Sequence, residues 1–417
     1  MLGSTPDLSS DIHTDILVMG AGLSGLTLAK ALEYSGLSVM LCEQSPDPAT
    51  HITSTSFIDQ RAIALSLESQ QALEHLGAWA MMAHESTPIQ NVHVSSQGQW
   101  GVCRVSAQQE GLESLGVVIP ITRLASGLRA SLHNTLALKM YFDTRLVSFQ
   151  QETHAVQALL AQPGKTLKVQ AKLLIAADGA HSPVRAQLGI PTSHHNYQQI
   201  AWVMQAQIKR PHHQMAYERF TPEGPLAILP RSPDTCVSIT WVRKDHHPPF
   251  NTLSDPARCA LLQEAFGYRL GKFLSTHDPQ GYPLVLQQAE RLFQDRVLLL
   301  GNAAHHLHPV AGQGFNLTLR DVRVLAQLLK ATPDLTLKSL QTLFNAYTLT
   351  QAEDQRLTVQ ITHQLTQVFQ SKHFPTRCLR ACALNLLERS PVALTKLNNQ
   401  LMGLTAPGIH RYGHTHG

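Results

Sequence analysis

The sequence predicts an α/β protein: a doubly wound parallel sheet, an antiparallel sheet inserted into it, and a helical C-terminal end. Three stretches carry the prediction, each a short apolar run that ends in a glycine turn. Ile16–Met19 leads into Gly20-Ala21-Gly22-Leu23-Ser24-Gly25. Leu173–Ala177 leads into Asp178-Gly179-Ala180-His181-Ser182, and Val297–Leu300 into Gly301-Asn302-Ala303-Ala304-His305. Apolar runs without alternation mark strands covered on both faces. Three strand ends of one sheet can converge on one long ligand. A flavin dinucleotide is therefore the leading candidate ligand, and an oxidoreductase the leading class.

The elements follow in order. Residues 1–13 read as a loose leader and Asp15–Met19 as the first strand. Gly25–Ser35 reads as a helix stopped by Gly36, and Ser38–Cys42 as a second strand ending at Glu43, which completes a βαβ start. Residues 44–60 form a Ser-, Thr- and Pro-rich loop. Arg61–Leu76 reads as a helix, 86–119 as alternating strands broken by glycines, Thr122–Leu136 as a helix, and 141–175 as hairpin strands. From Ile200 to Trp241 the pattern is antiparallel: Ala201–Ala206, Met215–Phe220, Leu226–Pro230 and Val237–Trp241. After Gly301 the chain turns helical. This divides it into a Rossmann-like FAD-binding domain (14–190 and 285–371), an antiparallel β-sheet substrate domain (191–284) and a C-terminal helical tail (372–417).

Bulk properties exclude several classes. The 417 residues are 43% hydrophobic and 15% charged, an ordinary composition for a globular protein of two or three domains. A formal charge of +4 is too weak to point to nucleic acid. Cys42, Cys103, Cys236, Cys259, Cys378 and Cys382 are scattered without a Cys-x-x-Cys pair, as for reduced thiols in a cytoplasmic protein. The first fifteen residues lack the basic and apolar regions of a signal peptide, and no run of about 18 apolar residues predicts a membrane span.

In the first turn Gly20 permits the tight bend, Gly22 lets backbone approach a pyrophosphate, and Gly25 lets helix and strand pack closely. The following helix N-terminus supplies free N–H groups and its positive end. Glu43, closing the second strand, is placed to accept hydrogen bonds from ribose hydroxyls. The second turn, Asp178-Gly179-x-x-Ser182-x-x-Arg185, lets an acid and a backbone amide meet a dinucleotide. It is equally compatible with an ordinary Asp-Gly turn. The third is the most specific. Its small residues let backbone lie against a flat ring, and Gly312 to Phe315 precede a helix whose amides can face an electron-rich oxygen. His305, His306 and His308 lie at turn spacing, with no Cys or carboxylate cluster beside them, so no metal site is expected.

These stretches resemble the flavoprotein aromatic hydroxylases of the p-hydroxybenzoate hydroxylase fold, and within them the ubiquinone-biosynthesis hydroxylases. The likeness rests on Asp59–Leu65, on Glu218-Arg219-Phe220-Thr221-Pro222-Glu223-Gly224-Pro225-Leu226 and its continuation to Pro230, and on His308-Pro309-Val310-Ala311-Gly312-Gln313-Gly314-Phe315-Asn316 through Val322. It spans about Asp15 to residue 370. Most of the superfamily has Gly-Asp where this chain has Gly301-Asn302, and Asp-Gly-Arg where it has Asp59-Gln60-Arg61. Asn still donates and accepts there, without charge.

The resemblance implies FAD as cofactor and NAD(P)H as co-substrate. It implies Arg61 near the phosphates or ribityl chain, Asp178 near the pyrophosphate and the reductant's path, and Asn302 on the ribityl chain. Pro309 is then at the reacting face as the catalytic position, with Gly312, Gln313, Gly314, Phe315 and Asn316 at the pyrimidine edge. The implied reaction uses O2, through a flavin hydroperoxide, to hydroxylate a polyprenyl phenol of the 2-octaprenyl-6-methoxyphenol kind. Two alternatives stand beside it: a flavin-dependent prenyl reductase, and a flavin-holding subunit of a ubiquinone-biosynthesis complex with little activity of its own.

From Phe374 onward five Lys/Arg (Arg377, Arg380, Arg389, Lys396, Arg411) face one acid, Glu388, with Leu379, Ala383, Leu386 and Leu387 near helical spacing. Such a helix packs on its own domain, binds partner proteins of the pathway, or lies on an anionic bilayer. The last of these would make a cytoplasmic protein peripheral at the inner membrane.

Overall fold

The computed structural model describes residues 8–48, 61–133, 137–306 and 313–370. The predicted positions Pro309 and Gly312, the side chain of Gln313, and the C-terminal segment from 371 lie outside the described residues.

In chain order the elements are β1 (Leu8–Met19), α1 (Leu23–Leu32), β2 (Val39–Cys42), β3 (Ala62–Ser66), α2 (Leu67–His75), β4 (Thr87–Pro88), β5 (Asn91–Ser96), β6 (Val102–Ser106), β7 (Gly116–Pro120), α3 (Ile121–Ser131) and β8 (Leu138–Tyr141). The hairpin β9 (Arg145–Gln151) and β10 (Val156–Gln162) leads to β11 (Lys165–Ala176), α4 (Pro183–Gln187), β12 (Thr192–Ile208), β13 (Met215–Phe220), β14 (Pro225–Arg231), β15 (Cys236–Lys244), α5 (Asp255–Phe266) and β16 (Phe273–Ala289). The chain continues through β17 (Phe293–Gln294), β18 (Val297–Leu299), β19 (His305–His306), α6 (Gln313–Lys330) and α7 (Leu337–Gln370).

The first sheet runs β17-β18-β11-β1-β2-β8, with β10 paired to β11 and β9 to β10. Its strands β18, β11, β1, β2 and β8 are mutually parallel. Ile16, Leu17 and Val18 are fully buried, as are Leu173, Leu174 and Ile175. Both faces are therefore covered, as the unbroken apolar runs require. One face packs on α1 and α6 through Leu26, Leu28, Leu319 and Leu325. The other packs on the β10–β11 layer through Leu160, Leu167 and Val169.

The second sheet has the order β19-β16-β12-β15-β14-β13-β5-β6. Its pairs are antiparallel, apart from the parallel contact of β13 with β5. Strands from three separate stretches build it: β5–β6, β12–β16 and β19. α5 covers its outer face, burying Trp202, Ile228, Ile239, Trp241, Phe250, Leu262 and Phe266 together.

Two expected elements differ. The leader is extended from Leu8, where β1 pairs with Thr166 to Gln170 of β11. The helix expected over Arg61–Leu76 is instead strand β3, then helix α2. Ala62-Ile63-Ala64-Leu65 has no period that forbids a helix. Its pairing with Pro120 to Gly116 of β7 decides the matter, tertiary context overriding local propensity.

Candidate flavin site

The register of the first sheet brings the turns together. Met19 pairs with Cys42 and with Ala176, and Ala176 pairs with Leu299. The three glycine turns and Glu43 therefore leave the same edge of the sheet from neighbouring strands. Ligands of parallel α/β sheets bind outside the carboxyl ends of the strands, where this edge lies.

The three glycines of the first turn differ as the motif's logic demands. Gly20 has φ +100°, and a Cβ there would meet the Ala177 carbonyl oxygen at 2.4 Å. A Cβ on Gly25 would lie 1.9 Å from the Gly20 carbonyl oxygen. These two glycines exist for internal fit. Gly22 would meet nothing within 4 Å, so its backbone is the one open to a ligand. It is also the N-cap of α1, and no side chain caps that helix. The first amides of α1 thus remain for an anion. Glu43 holds the turn from the next strand: Ala21 N donates to its Oε2 at 2.9 Å and Ser45 N to its Oε1 at 3.0 Å.

The second turn is tied to the third. The buried Arg185 donates to the Ala180 carbonyl at 2.7 Å and, across the edge, to the Ala303 carbonyl at 2.8 Å. Gln287 of β16 adds a bond to the same Ala180 carbonyl at 3.0 Å. Asp178 accepts from Val184 N at 3.2 Å through Oδ2, while its buried Oδ1 has no partner among the described residues. Burial pushes the Asp178 carboxyl up; the bonds from Ser182 and Val184 and the Arg185 charge oppose it. A buried acceptor left open at this edge is one that a ligand hydroxyl or amide can satisfy.

Gly301, at φ +61°, abuts Ser24 of α1, whose Oγ would lie 2.3 Å from an added Cβ. This contact locks the third turn onto the first and leaves Asn302 exposed beside them. His305 is buried and hydrogen-bonded at 2.9 Å to Oδ2 of Asp321, whose Oδ1 accepts from Gln355 at 2.9 Å. That explains the histidine without a metal, and no group of three or more metal-ligating side chains occurs among the described residues. Its neighbour His306 is pushed down, first by burial and then by the charges of Arg61 and His181. Arg61 itself sits over the ring of Tyr282, 4.8 Å from its centroid, where the chain entering β3 meets β16 of the second sheet. Tyr282 was not singled out from the sequence, nor was the grouping of Arg61 with His181 and His306, because only the tertiary structure brings these residues together.

At the start of α6, Gly314 would meet nothing within 4 Å and Phe315 packs on the core of the first sheet. Asn316 is almost fully buried. Its Oδ1 accepts from Ser66 N at 3.0 Å and its Nδ2 donates to the Ala64 carbonyl at 3.1 Å. Both ends of that amide serve to hold α6 against β3.

The residues present fit a flavin dinucleotide: an open glycine at an uncapped helix, a carboxylate closing the second strand, and an unsatisfied buried acceptor, all on one edge. The fold and these turns define a flavin-dinucleotide enzyme. The FAD binding domain family matches residues 13–352. The chain is 33% identical over 383 residues to the ubiquinone hydroxylase UbiL of Rhodospirillum rubrum, covering 91% of this chain and 87% of that protein. It is 29% identical over 330 residues to the 3-demethoxyubiquinol 3-hydroxylase of Escherichia coli, covering 76% and 79%. The p-nitrophenol 4-monooxygenase PnpA of Pseudomonas putida shares the fold, with a TM-score of 0.78 at 15% identity over 96% of this chain and 100% of that one. The chain belongs to the FAD-binding monooxygenase family, in its ubiquinone hydroxylase group, and is an FAD-dependent monooxygenase that uses NAD(P)H.

Proposed function

We propose that the protein hydroxylates the aromatic ring of a polyprenyl phenol in ubiquinone biosynthesis, the substrate being of the 2-octaprenyl-6-methoxyphenol kind. The observation that carries this reading is the meeting of three turns on one sheet edge beneath a second sheet, in a chain whose relatives are ubiquinone hydroxylases. FAD, when bound, supplies hydride acceptance from NAD(P)H and activation of O2. The amides after Gly22 bind its pyrophosphate, with Gly20 and Gly25 shaping the turn. Glu43 and Asp178 take its hydroxyls, and Arg61 balances phosphate charge. Asn302 takes the ribityl chain. Pro309 and the stretch Gly312, Gln313, Gly314, Phe315 and Asn316 border the reacting ring. The second sheet covers this edge, excludes water and orients the phenol.

On this reading residues 14–190 and 285–371 serve as the FAD unit and 191–284 as the substrate unit. The basic segment 372–417 serves to bring the protein to the membrane surface or to pathway partners. No helix among the described residues is long and apolar enough to cross a membrane. The test is mass spectrometry of lipids from cells lacking the gene. Loss of ubiquinone with accumulation of a polyprenyl methoxyphenol is the expected result and identifies the ring position. Unchanged ubiquinone, in a strain without a second hydroxylase of this group, would remove the pathway assignment.

A further inference from the structure

We propose that Glu218, on the inner face of the second sheet, is the base that takes the proton from the substrate phenol. The inference rests on the reading above that the substrate is a phenol.

Strand alternation fixes where Glu218 points. On one side of it in β13, Tyr217 packs outward on Phe266 of α5, with ring centroids 5.1 Å apart. On the other, Arg219 donates to the Ala265 carbonyl of the same helix at 2.8 Å. Both neighbours face α5, so Glu218 faces away from it. The face it shares is turned to the flavin-binding unit. There Ala216 and Leu229 pack with Ala62 and Ala64 of β3, and Tyr282 lies under Arg61.

Register places Glu218 in a row across that face. Val94 of β5 lies on one side, and Ala227 of β14 then Thr240 of β15 on the other. All four are half-buried in a sheet whose opposite face is closed, so solvent reaches this row from the cleft. Ala227 and Thr240 are small, which leaves room beside the carboxylate for a ring.

The carboxylate has no hydrogen-bond partner and no counter-charge among the described residues. Burial is the only influence on it and pushes its carboxyl up to about 7. The titratable side chain next along the row is the Cys103 thiol, paired through Val94. The cations placed on this face, Arg61 over Tyr282 and Arg231 at the far end of β14 near Glu85 and Arg123, do not shift Glu218. His93, Arg104, Arg219 and Arg269 form a separate group about His93, which pairs with Tyr217 on the α5 side.

Such a group has the properties of a general base. It is half-buried, unpaired among the described residues, and held by burial near neutral pH rather than at the ordinary 4.5. The step is a single proton transfer. The phenol O–H bond breaks, an O–H bond forms on Glu218, and the negative charge passes to the phenolate oxygen, whose electron pair enriches the ring carbon to be hydroxylated. The oxygen atom and the electrons that reduce O2 belong to the monooxygenase reaction itself. Relative to an ordinary glutamate, a base about 2.5 pH units stronger favours the transfer roughly 300-fold.

The experiment compares FAD-loaded wild type, Glu218→Gln and Glu218→Asp with NADH, O2 and a 6-methoxyphenol bearing a short prenyl tail. Wild-type product formation is expected to rise with pH through about 7. Glu218→Gln should lose roughly 100-fold in product formation and lose that limb, while still oxidising NADH and releasing H2O2. Glu218→Asp should recover part of the rate. A second readout needs no turnover: denaturant midpoints of the flavin-free proteins from pH 5 to pH 8. A carboxyl raised on folding loses stability as pH climbs from its unfolded value through its folded one. Wild type should therefore lose stability relative to Glu218→Gln as pH rises from 5 through about 7, leaving the variant more stable at pH 8. A wild type that makes no product removes the phenol reading itself. A wild type that makes product, with a Glu218→Gln variant that keeps its rate and its acid limb, or midpoints that run parallel from pH 5 to pH 8, overturns Glu218 alone.

Discussion

Glycine 25 shows how one residue determines ligand binding without touching the ligand. A methyl there would sit 1.9 Å from the Gly20 carbonyl oxygen, which is backbone and cannot step aside cheaply. Gly25→Ala should displace α1 from β1, cost roughly 1–3 kcal/mol of stability, and weaken FAD binding at least tenfold, measured by fluorescence titration of the flavin-free protein. Gly22→Ala, with open space around it, should fold normally and weaken FAD binding alone. His93 carries a different lesson. Burial, then the charges of Arg269 and Arg104, hold its imidazole down at about 4. A base lowered on folding keeps its contribution above its unfolded value near 6.5 and loses it as pH falls toward 4. Over that window the loss should reach about 3 kcal/mol. His93→Gln, neutral throughout, should flatten this limb in the difference between urea midpoints of the two proteins.

Elements meet here through backbone carbonyls more than through charge pairs. Arg185 leaves α4 to bind Ala180 in its own turn and Ala303 in the next. Asn316 leaves α6 to bind both sides of the β3 end. Arg185→Met keeps much of the buried volume but frees the Ala303 carbonyl and leaves the Ala180 carbonyl only its bond from Gln287. The expected loss is about 2–4 kcal/mol, from two bonds to a charged donor, together with weaker FAD binding, since the second and third turns no longer hold a fixed spacing. Calorimetry of the flavin-free variant separates the two effects. The stretch Arg219-Phe220-Thr221-Pro222-Glu223-Gly224 reads in the sequence as a family mark, and most of it serves structure. Thr221 closes a turn by donating to Gly224 O at 2.7 Å and accepts from Trp241 Nε1 at 3.3 Å, and Arg219 anchors α5. Glu218, which immediately precedes that stretch, is shifted by burial alone and has no hydrogen-bond partner among the described residues.

Across the whole molecule, Arg296 joins what the sequence separates. It is 2% exposed, and its guanidinium donates to the carbonyls of Thr153, Lys172 and Leu335. It thereby binds the start of β18 to the β9–β10 hairpin, to β11 and to the start of α7. A guanidinium surrounded by carbonyls is an expensive group to remove. Arg296→Met should lower stability by about 3–5 kcal/mol, with unfolding observed by circular dichroism. Saturating FAD should restore part of the midpoint by mass action.

The local features were legible for a local reason. A strand, its glycine turn and the following helix lie within about fifteen residues, so Gly20, Gly22, Gly25 and Glu43 declare themselves by spacing. The Ala62–Ser66 strand was not legible, because its partners in β7 lie 50 or more residues away. By itself the sequence determined the α/β class and the strand-and-turn units, since both depend on periodicity and short-range turn chemistry, and its motifs carried the resemblance to the family. Only the tertiary structure decided that three turns share one edge, that Arg61 rests on Tyr282, that His305 belongs to Asp321, and that Glu218 turns inward without a partner among the described residues. Those facts are set by strand register and by which face of a sheet is covered, and neither is written in any contiguous run of residues.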